Sequence, residues 1–285
     1  NIRCASIGTL GTIFNKKQHF SQKLTTPQSI DLLKVLNKIS KKKCEKVIIE
    51  ASSIGIDQGR LSNLKFDKIV FTNLSRDHLD YHKNMRDYLN AKLRLFKNHN
   101  KEKTLAIINN DDLYSNYFAK ICKKKKLKIL SYGLKGNFIR FLSLRKKENF
   151  FEVKLKIKDE TFKYDINCNS RFEVYNIICS LIICFGEKLQ YSDFRLINDI
   201  KQPKGRLEKV YDKEFKIFVD YAHTPEALKN VLISLNEIKK KKIICLIGAG
   251  GNRDKGKRSM LTKKALMYSD IIILADDNTR DEDPE

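Results

Sequence analysis

Ile69-Val70-Phe71-Thr72-Asn73-Leu74-Ser75-Arg76-Asp77-His78-Leu79-Asp80-Tyr81-His82 opens as a short apolar run and closes as a polar loop. The run Ile69 to Asn73 reads as a strand, and the same plan recurs on either side of it. Val47 to Glu50 is a short apolar run ending at an acid, and Leu105 to Ile108 and Ile129 to Tyr132 repeat it. Helical periodicity fills the gaps over Ser29 to Ile39, Met85 to Phe96 and Leu113 to Cys122. Short apolar strands separated by helices predict a parallel sheet with helices on both faces. Ligands in such folds sit at the carboxyl ends of the strands. Glu50, Ser52, Asn73, His78 and Asn109 fall there.

Further along, the pattern changes. From Asn137 to Asn169 the alternation Phe151-Glu152-Val153-Lys154-Leu155-Lys156-Ile157 is strand-like, and Lys158-Asp159-Glu160 offers a turn. A small antiparallel excursion at the sheet edge is expected there. Phe172 to Phe185 is an apolar helix, and Gln202-Pro203-Lys204-Gly205 is the best linker. A second alternating unit follows. Its strands are Phe215 to Tyr221, Ile243 to Ile247 and Ile271 to Ala275; its helices are Pro225 to Ile238 and Lys257 to Tyr268. Pro225 suits a first helical turn with Thr224 as its cap.

Bulk properties bound the function. The chain has 285 residues, 41% hydrophobic and 32% charged, enough for one large domain or two ordinary ones. No apolar run approaches the ~20 residues that cross a bilayer. Seven cysteines show no zinc or redox spacing and sit mostly in apolar segments, which reads as buried, reduced thiols in a cytosolic protein. The net charge of +23 raises the question of nucleic acid. The runs Lys41 to Lys43, Lys123 to Lys126 and Lys239 to Lys242 each lie near a predicted helix end, where cations meet the negative end of the dipole. They lack interleaved aromatics, so a solvated lysine surface is expected, with some of the charge serving anionic substrates.

Three loops could carry chemistry. Thr72 to His82 packs two His, two Asp and an Arg into eleven residues after a strand. That density suggests a metal or phosphate site, with a solvated loop as the alternative. Glu50 could add a hard ligand, and magnesium, which takes few protein ligands, would suit. Gly248-Ala249-Gly250-Gly251-Asn252-Arg253-Asp254-Lys255-Gly256-Lys257-Arg258 lies between a strand and a helix. Its spacing is neither a dinucleotide fingerprint nor a P-loop, and it reads equally as an anion loop or a plain turn. Asp220-Tyr221-Ala222-His223-Thr224-Pro225 offers Asp220 for a ribose or water, or simply starts a capped helix.

Taken in order, Thr25-Thr26-Pro27, Glu50-Ala51-Ser52-Ser53, Gln58-Gly59-Arg60, the Thr72 to His82 loop and Ala91-Lys92 resemble the central domain of the Mur ligase family. The three later motifs, ending with Asp277-Asn278-Thr279-Arg280, resemble that family's third domain. The likeness is greatest to the branch that adds the third amino acid to the peptidoglycan peptide. It implies an α/β fold: a mostly parallel central sheet with flanking helices over residues 1–201, then the first part of a Rossmann-like domain over 202–285. It implies that Thr25, Thr26, Ser52, Gln58 and Arg60 contact a UDP-muramoyl dipeptide, and that Glu50 and His78 hold Mg2+. Lys92, carried as a carbamate, would join His78 in catalysis and hold a second metal ion. Asn176, Arg206 and Asp220 would contact ATP, and Asn278 and Arg280 the incoming amino acid. Arg280 matches members that use meso-diaminopimelate. A cytoplasmic monomer with small-molecule substrates is implied, without nucleic acid or membrane partners.

Four positions depart from the family pattern: Ile54 where a His often stands, Glu173 for Asn, Lys204 for Pro and Thr279 for Pro. The family's Gly-rich phosphate loop and its first domain are expected before residue 1, and more of the third domain after residue 285, so the chain by itself is expected to be an inactive piece. The alternatives are an L-lysine-adding or folylpolyglutamate synthetase-like ligase, a non-catalytic nucleotide-binding paralogue, and a basic nucleic-acid-binding protein.

Overall fold

In the computed structural model, residues 2–15, 17–147, 150–200, 203–252 and 254–283 are described. The expected break between 201 and 202, Arg253 of the glycine-rich loop and the terminal Pro284-Glu285 lie outside them, as does Gln202 of the expected linker.

Two compact units divide the chain: Asn1–Ile69 with Tyr81–Ala106 and Tyr117–Lys128, and Val70–Asp80 with Ile107–Asn116 and Ile129–Glu285. The first unit opens on a meander that the sequence reading did not anticipate: β1 (Cys4–Gly8), β2 (Gly11–Phe14) and β3 (Lys17–Phe20). Helix α1 (Ser29–Lys41) then leads to β4 (Lys46–Ile49), which pairs parallel to β1 with Ile7 opposite Ile49. The sheet order is β3-β2-β1-β4, and the β1–β2 and β2–β3 pairs are antiparallel. Ile7, Leu32, Ile56 and Leu61 form a buried cluster with Leu36, Ile49 and Leu95 packed against it.

A short helix α2 (Ser53–Asp57) precedes β5 (Phe66–Phe71), and α3 (Leu79–His82) and α4 (Met85–Asn98) precede β6 (Asn100–Asn109). Helix α5 (Ser115–Lys124) leads to β7 (Lys128–Gly133), followed by β8 (Ile139–Lys146), β9 (Phe151–Ile157) and β10 (Glu160–Ile166). These strands form one six-stranded sheet in the order β10-β9-β8-β7-β6-β5. The β7–β8 pair is parallel, and β8, β9 and β10 are antiparallel, the edge excursion read from the alternation. Phe151, Val153 and Leu155 are fully buried while Lys154 between them is exposed, the inside–outside alternation of a half-buried strand. The fold is therefore α/β with mixed sheets, because the two meanders add antiparallel strands to the parallel pairs.

Helix α6 (Arg171–Phe185) buries Val174, Ile178 and Ile182. Glu173, a departure from the family pattern, has a local explanation. Ser170 caps the helix by accepting from the Glu173 amide at 3.3 Å, and the Glu173 carboxylate accepts from the Asn169 amide at 2.8 Å. The acid thus serves the helix start, satisfying a backbone donor there.

The later part of the second unit begins with an antiparallel hairpin, β11 (Glu208–Asp212) and β12 (Lys216–Val219). Helix α7 (Pro225–Asn236), β13 (Ile244–Ile247), α8 (Lys255–Tyr268) and β14 (Ile271–Leu274) follow, with β13 and β14 parallel. Thr224 caps α7 as expected, accepting from the Ala227 amide at 3.2 Å. Leu228 and Leu232 of α7 and Leu261 and Ala265 of α8 pack around Cys245 and Ile272, covering one face of the β13–β14 pair. The other face shows Ile244 beside Ile271 and Leu246 beside Ile273, each between 42% and 66% exposed.

All seven cysteines are free; Cys122, Cys168, Cys179 and Cys245 are buried, whereas Cys4 and Cys184 are exposed. Burial pushes the Cys122 and Cys168 thiols up to about 12 and that of Cys179 to about 11, which leaves them inert. Among the described residues no helix is long and apolar enough to cross a membrane.

Candidate functional site

In the first unit the expected substrate residues join into one hydrogen-bonded network. Ser52 caps α2, its hydroxyl accepting from the Gly55 amide at 3.1 Å. The fully buried Thr26 hydroxyl donates to the Glu50 carbonyl at 2.7 Å, accepts from the Ser52 amide at 2.9 Å and lies 3.0 Å from the Ser52 hydroxyl. Arg60, buried, donates through Nη1 to the Thr26 carbonyl at 2.8 Å and through Nη2 to Gln58 Oε1 at 2.5 Å. Thr25 reaches the same group through Thr9, whose hydroxyl lies 3.1 Å from that of Thr25 and donates to Glu50 Oε2 at 3.0 Å. The Thr9 amide donates to that oxygen too, at 2.9 Å. The other carboxylate oxygen of Glu50 accepts nothing from a described residue.

Lys92 lies on α4 with its ammonium 5.3 Å from the centre of the Tyr88 ring. Tyr88 in turn stacks on the buried His82, whose Nε2 is 2.9 Å from the Ser53 hydroxyl. The unmodified lysine is thus parked on Tyr88.

In the second unit a single carboxylate gathers three basic side chains. Asp77 Oδ2 lies 3.1 Å from His223 Nε2 and 3.5 Å from His78 Nε2, and Oδ1 accepts from Lys257 at 3.1 Å. Burial alone would raise the Asp77 carboxyl. The hydrogen bond from His223 and the charges of His78 and Lys257 outweigh it and hold the group well below the usual carboxylate range. The same hydrogen bond raises the His223 imidazole against an opposing effect of burial. One residue back, Arg76 forks onto Asp254, from Nε at 3.1 Å and Nη2 at 3.2 Å. His78 itself has φ +54°, an uncommon backbone for a residue other than glycine.

The loops after β13 and β14 interlock. The Gly251 amide donates to the Asn278 carbonyl at 2.8 Å, and Arg280, at φ +54°, donates to the Gly251 carbonyl. A side-chain carbon on Gly251 would fall 1.8 Å from the Thr279 carbonyl oxygen, and one on Gly248 2.7 Å from that of Ala275. These glycines therefore make room for the neighbouring backbone, and the Gly251 amide is spent on protein. Glu282 accepts from the Asn252 amide at 2.8 Å and pairs with Arg258 at 2.5 Å.

Asp220 is spent as well: its oxygens accept from the Leu207 amide at 2.6 Å and the Ala222 amide at 2.7 Å, and burial raises its carboxyl more than these bonds lower it. Arg206 lies over the Tyr221 ring at 5.0 Å. Asn176 is exposed on α6, its carbonyl accepting from the Ser180 hydroxyl at 2.9 Å. The roles of Asp77, His223, Lys257 and the Arg76–Asp254 pair escaped the sequence reading, since no local spacing links residues so far apart.

No three His, Cys, Asp or Glu side chains gather as a metal cluster among the described residues. Magnesium does not require one: it binds through one or two protein carboxylates and keeps its waters and phosphate oxygens. Glu50, with one oxygen fixed by Thr9, fits a hard cation. His78 offers an imidazole whose Nε2 lies 3.5 Å from Asp77 Oδ2, and a metal would take that ring in its neutral form.

Residues 2–184 match the Mur ligase middle domain, and residues 205–285 match the Mur ligase glutamate ligase domain. The UDP-N-acetylmuramoyl-L-alanyl-D-glutamate–2,6-diaminopimelate ligase of Aquifex aeolicus (strain VF5) is 35% identical over 280 residues, covering 98% of this chain and 57% of that protein. A solved structure of a ligase of that name is 32% identical, with a TM-score of 0.72 over 99% of this chain and 58% of that one. The folylpolyglutamate synthase of Mycobacterium tuberculosis, solved with ADP, shares the fold at 13% identity, with a TM-score of 0.74 over 96% of this chain and 67% of that one. The chain thus spans just under three fifths of the 2,6-diaminopimelate ligases it matches.

Proposed function

The chain belongs to the Mur ligase family, and from that premise we propose that the whole protein is a cytoplasmic, monomeric, ATP-dependent amide ligase that joins meso-diaminopimelate to UDP-N-acetylmuramoyl-L-alanyl-D-glutamate. The observation that carries this reading is the 35% identity to a ligase of that name across 98% of the chain. Residues 1–201 form the ATP-binding middle domain in this reading, and 202–285 belong to the domain that receives the amino acid.

The reaction has two steps. The terminal carboxylate of the muramoyl dipeptide attacks the γ-phosphorus of ATP and becomes an acyl phosphate, releasing ADP. The amine of diaminopimelate then attacks the acyl carbon, forming the amide and releasing phosphate. A carboxylate is a poor acyl donor, so activation is needed, and the protein's contribution is positioning and charge stabilisation. The network of buried Thr26 and Arg60 with half-buried Ser52 supports a preorganised cradle for the dipeptide, with Thr25 and Gln58 at its margins. Glu50 and His78 would hold magnesium, which offsets charge on the moving phosphoryl group. Lys92, once carbamylated, presents an anion in place of the cation over Tyr88 and would join them. Asn176, Arg206 and Asp220 line the nucleotide side, with Asp220 bracing the loop from Leu207 to Ala222. Asn278 and Arg280 face the amino acid.

The test is phosphate release by the whole protein with ATP, Mg2+, the UDP-muramoyl dipeptide and either meso-diaminopimelate or L-lysine. Turnover with diaminopimelate is expected. A preference for L-lysine overturns the specificity, and no turnover with either overturns the reaction.

A further inference from the structure

The start of α8 is built against its own local interest. Its first turn carries Lys255, Lys257 and Arg258 and no acid, although cations are disfavoured at a helix N-terminus. Asp254 stands at the N-cap, where an aspartate ordinarily accepts an amide of its own helix, yet its side chain caps nothing. Its carboxylate, only 10% exposed, is turned to Arg76, 178 residues earlier, in a two-pronged ion pair. Lys257 is likewise committed to Asp77, both side chains being about one-eighth exposed. Gly256 sits against this arrangement: a side-chain carbon there would stand 3.1 Å from Arg76 Nη2 and 3.2 Å from Asp254 Oδ1. Local choices that oppose the helix point to a purpose elsewhere in the fold.

We propose that Arg76 and Asp254 are positioning residues, whose ion pair, with Asp77–Lys257 beside it, clips the loop bearing His78 to the first turn of α8. A left-handed backbone at a non-glycine residue such as His78 persists only where its surroundings over-determine it. Two adjacent ion pairs anchored to a helix end provide that constraint immediately before His78. Breaking them frees the loop to relax and moves His78 away from the place the ligase reading requires. The clip stands on the two ion pairs; only its effect on turnover rests on the ligase reading.

The experiment is hydrogen exchange by mass spectrometry on the chain carrying Arg76→Asp, Asp254→Arg, or both. Each single charge reversal should speed exchange in peptides covering residues 72–80 and 254–260 about tenfold, a factor within the usual coupling of contacting charges. The reciprocal double variant should return both to near the wild-type rate, while β9 is unchanged throughout. Single variants without effect, or a double variant as fast as the two effects combined, overturn the clip. If a charge reversal also opens β9, the neutral pair Arg76→Gln and Asp254→Asn decides: a double variant no faster than either single supports coupling, and additive effects overturn it. In the whole protein the single reversals should lower kcat with little change in the KM for ATP, and the swap should restore it. An inactive wild type would sink the ligase reading and leave the exchange result standing; an active wild type without exchange coupling would sink the clip alone.

Discussion

Asp77 stays ionised at every pH near neutrality, so the titration that matters beside it is that of His223. The folded imidazole is raised by its hydrogen bond to Asp77. Its contribution to stability is therefore complete below the unfolded value of about 6.5 and is lost as the pH rises through the raised folded value. Solvent screens the pair, since the His223 side chain is 55% exposed, so the effect is modest. Urea unfolding of His223→Gln against wild type should show a gap that is full in mild acid and closes toward alkaline pH; a gap independent of pH would refute the assignment. Arg280 makes a second residue-scale prediction. Only diaminopimelate carries a carboxylate at the far end of its side chain, and a guanidinium matches that group in two prongs. Losing such a pair costs roughly 2–5 kcal/mol when it is well desolvated. In the whole protein Arg280→Ala should raise the KM for diaminopimelate strongly and leave that for ATP nearly unchanged. Steady-state kinetics would read both; equal losses for the two substrates would mean that Arg280 serves only to hold Gly251. At this scale the residues with local signatures, Thr224 as a cap and Lys158 in a turn, were legible from the sequence. Asp77 and Lys257 were not, because the charge that each answers lies 180 residues away.

Helices α1 and α5 end alike. In α5 the Leu127 amide reaches the Cys122 carbonyl and the Lys126 amide that of Lys123, with Lys126 at φ +54°. In α1 Cys44 and Lys43 repeat the pattern on Ile39 and Ser40, with Lys43 at φ +58°. This is the left-handed helix ending that glycine normally occupies. A lysine gains from the helix dipole there but bears a backbone penalty of about 1–2 kcal/mol, against the ~0.5–1 kcal/mol that glycine's greater freedom in the unfolded chain would cost. Lys126→Gly should therefore stabilise α5 by about 0.5–1 kcal/mol, read as slower amide exchange along the helix; faster exchange would show that the dipole dominates. The lysine runs were legible as helix ends, whereas the left-handed residue within each was not, since a glycine would have signalled it. Strands with strong alternation, such as β9, were equally plain. Strands β1 to β3 went unread because each is four or five residues long and is defined by its pairing across the sheet rather than by its own pattern. The hairpin partner β11 was hidden for the same reason: its exposed, charged residues acquire strand character only from β12.

Over the whole molecule the charge of +23 includes lysines at helix ends and on solvated strand faces, and exposed apolar side chains occur along the chain, four of them together on one strand pair. The face of β13 and β14 away from α7 and α8 shows Ile244, Leu246, Ile271 and Ile273 to solvent. Strands of this type are normally covered on both sides, and contiguous apolar patches promote association. The chain should bind a hydrophobic dye and self-associate, and Leu246→Lys should weaken both without lowering the stability of the opposite face. Undiminished dye binding would locate the patch elsewhere. The interlocked loops carry a consequence for the order of synthesis. Gly251 cannot reach its native partners until Asn278 and Arg280 have been made, and ribosomes add about 5–20 residues per second. For a few seconds of every molecule's birth, the Gly251 end of the loop must therefore wait, unfastened, beside a helix that already has all its residues.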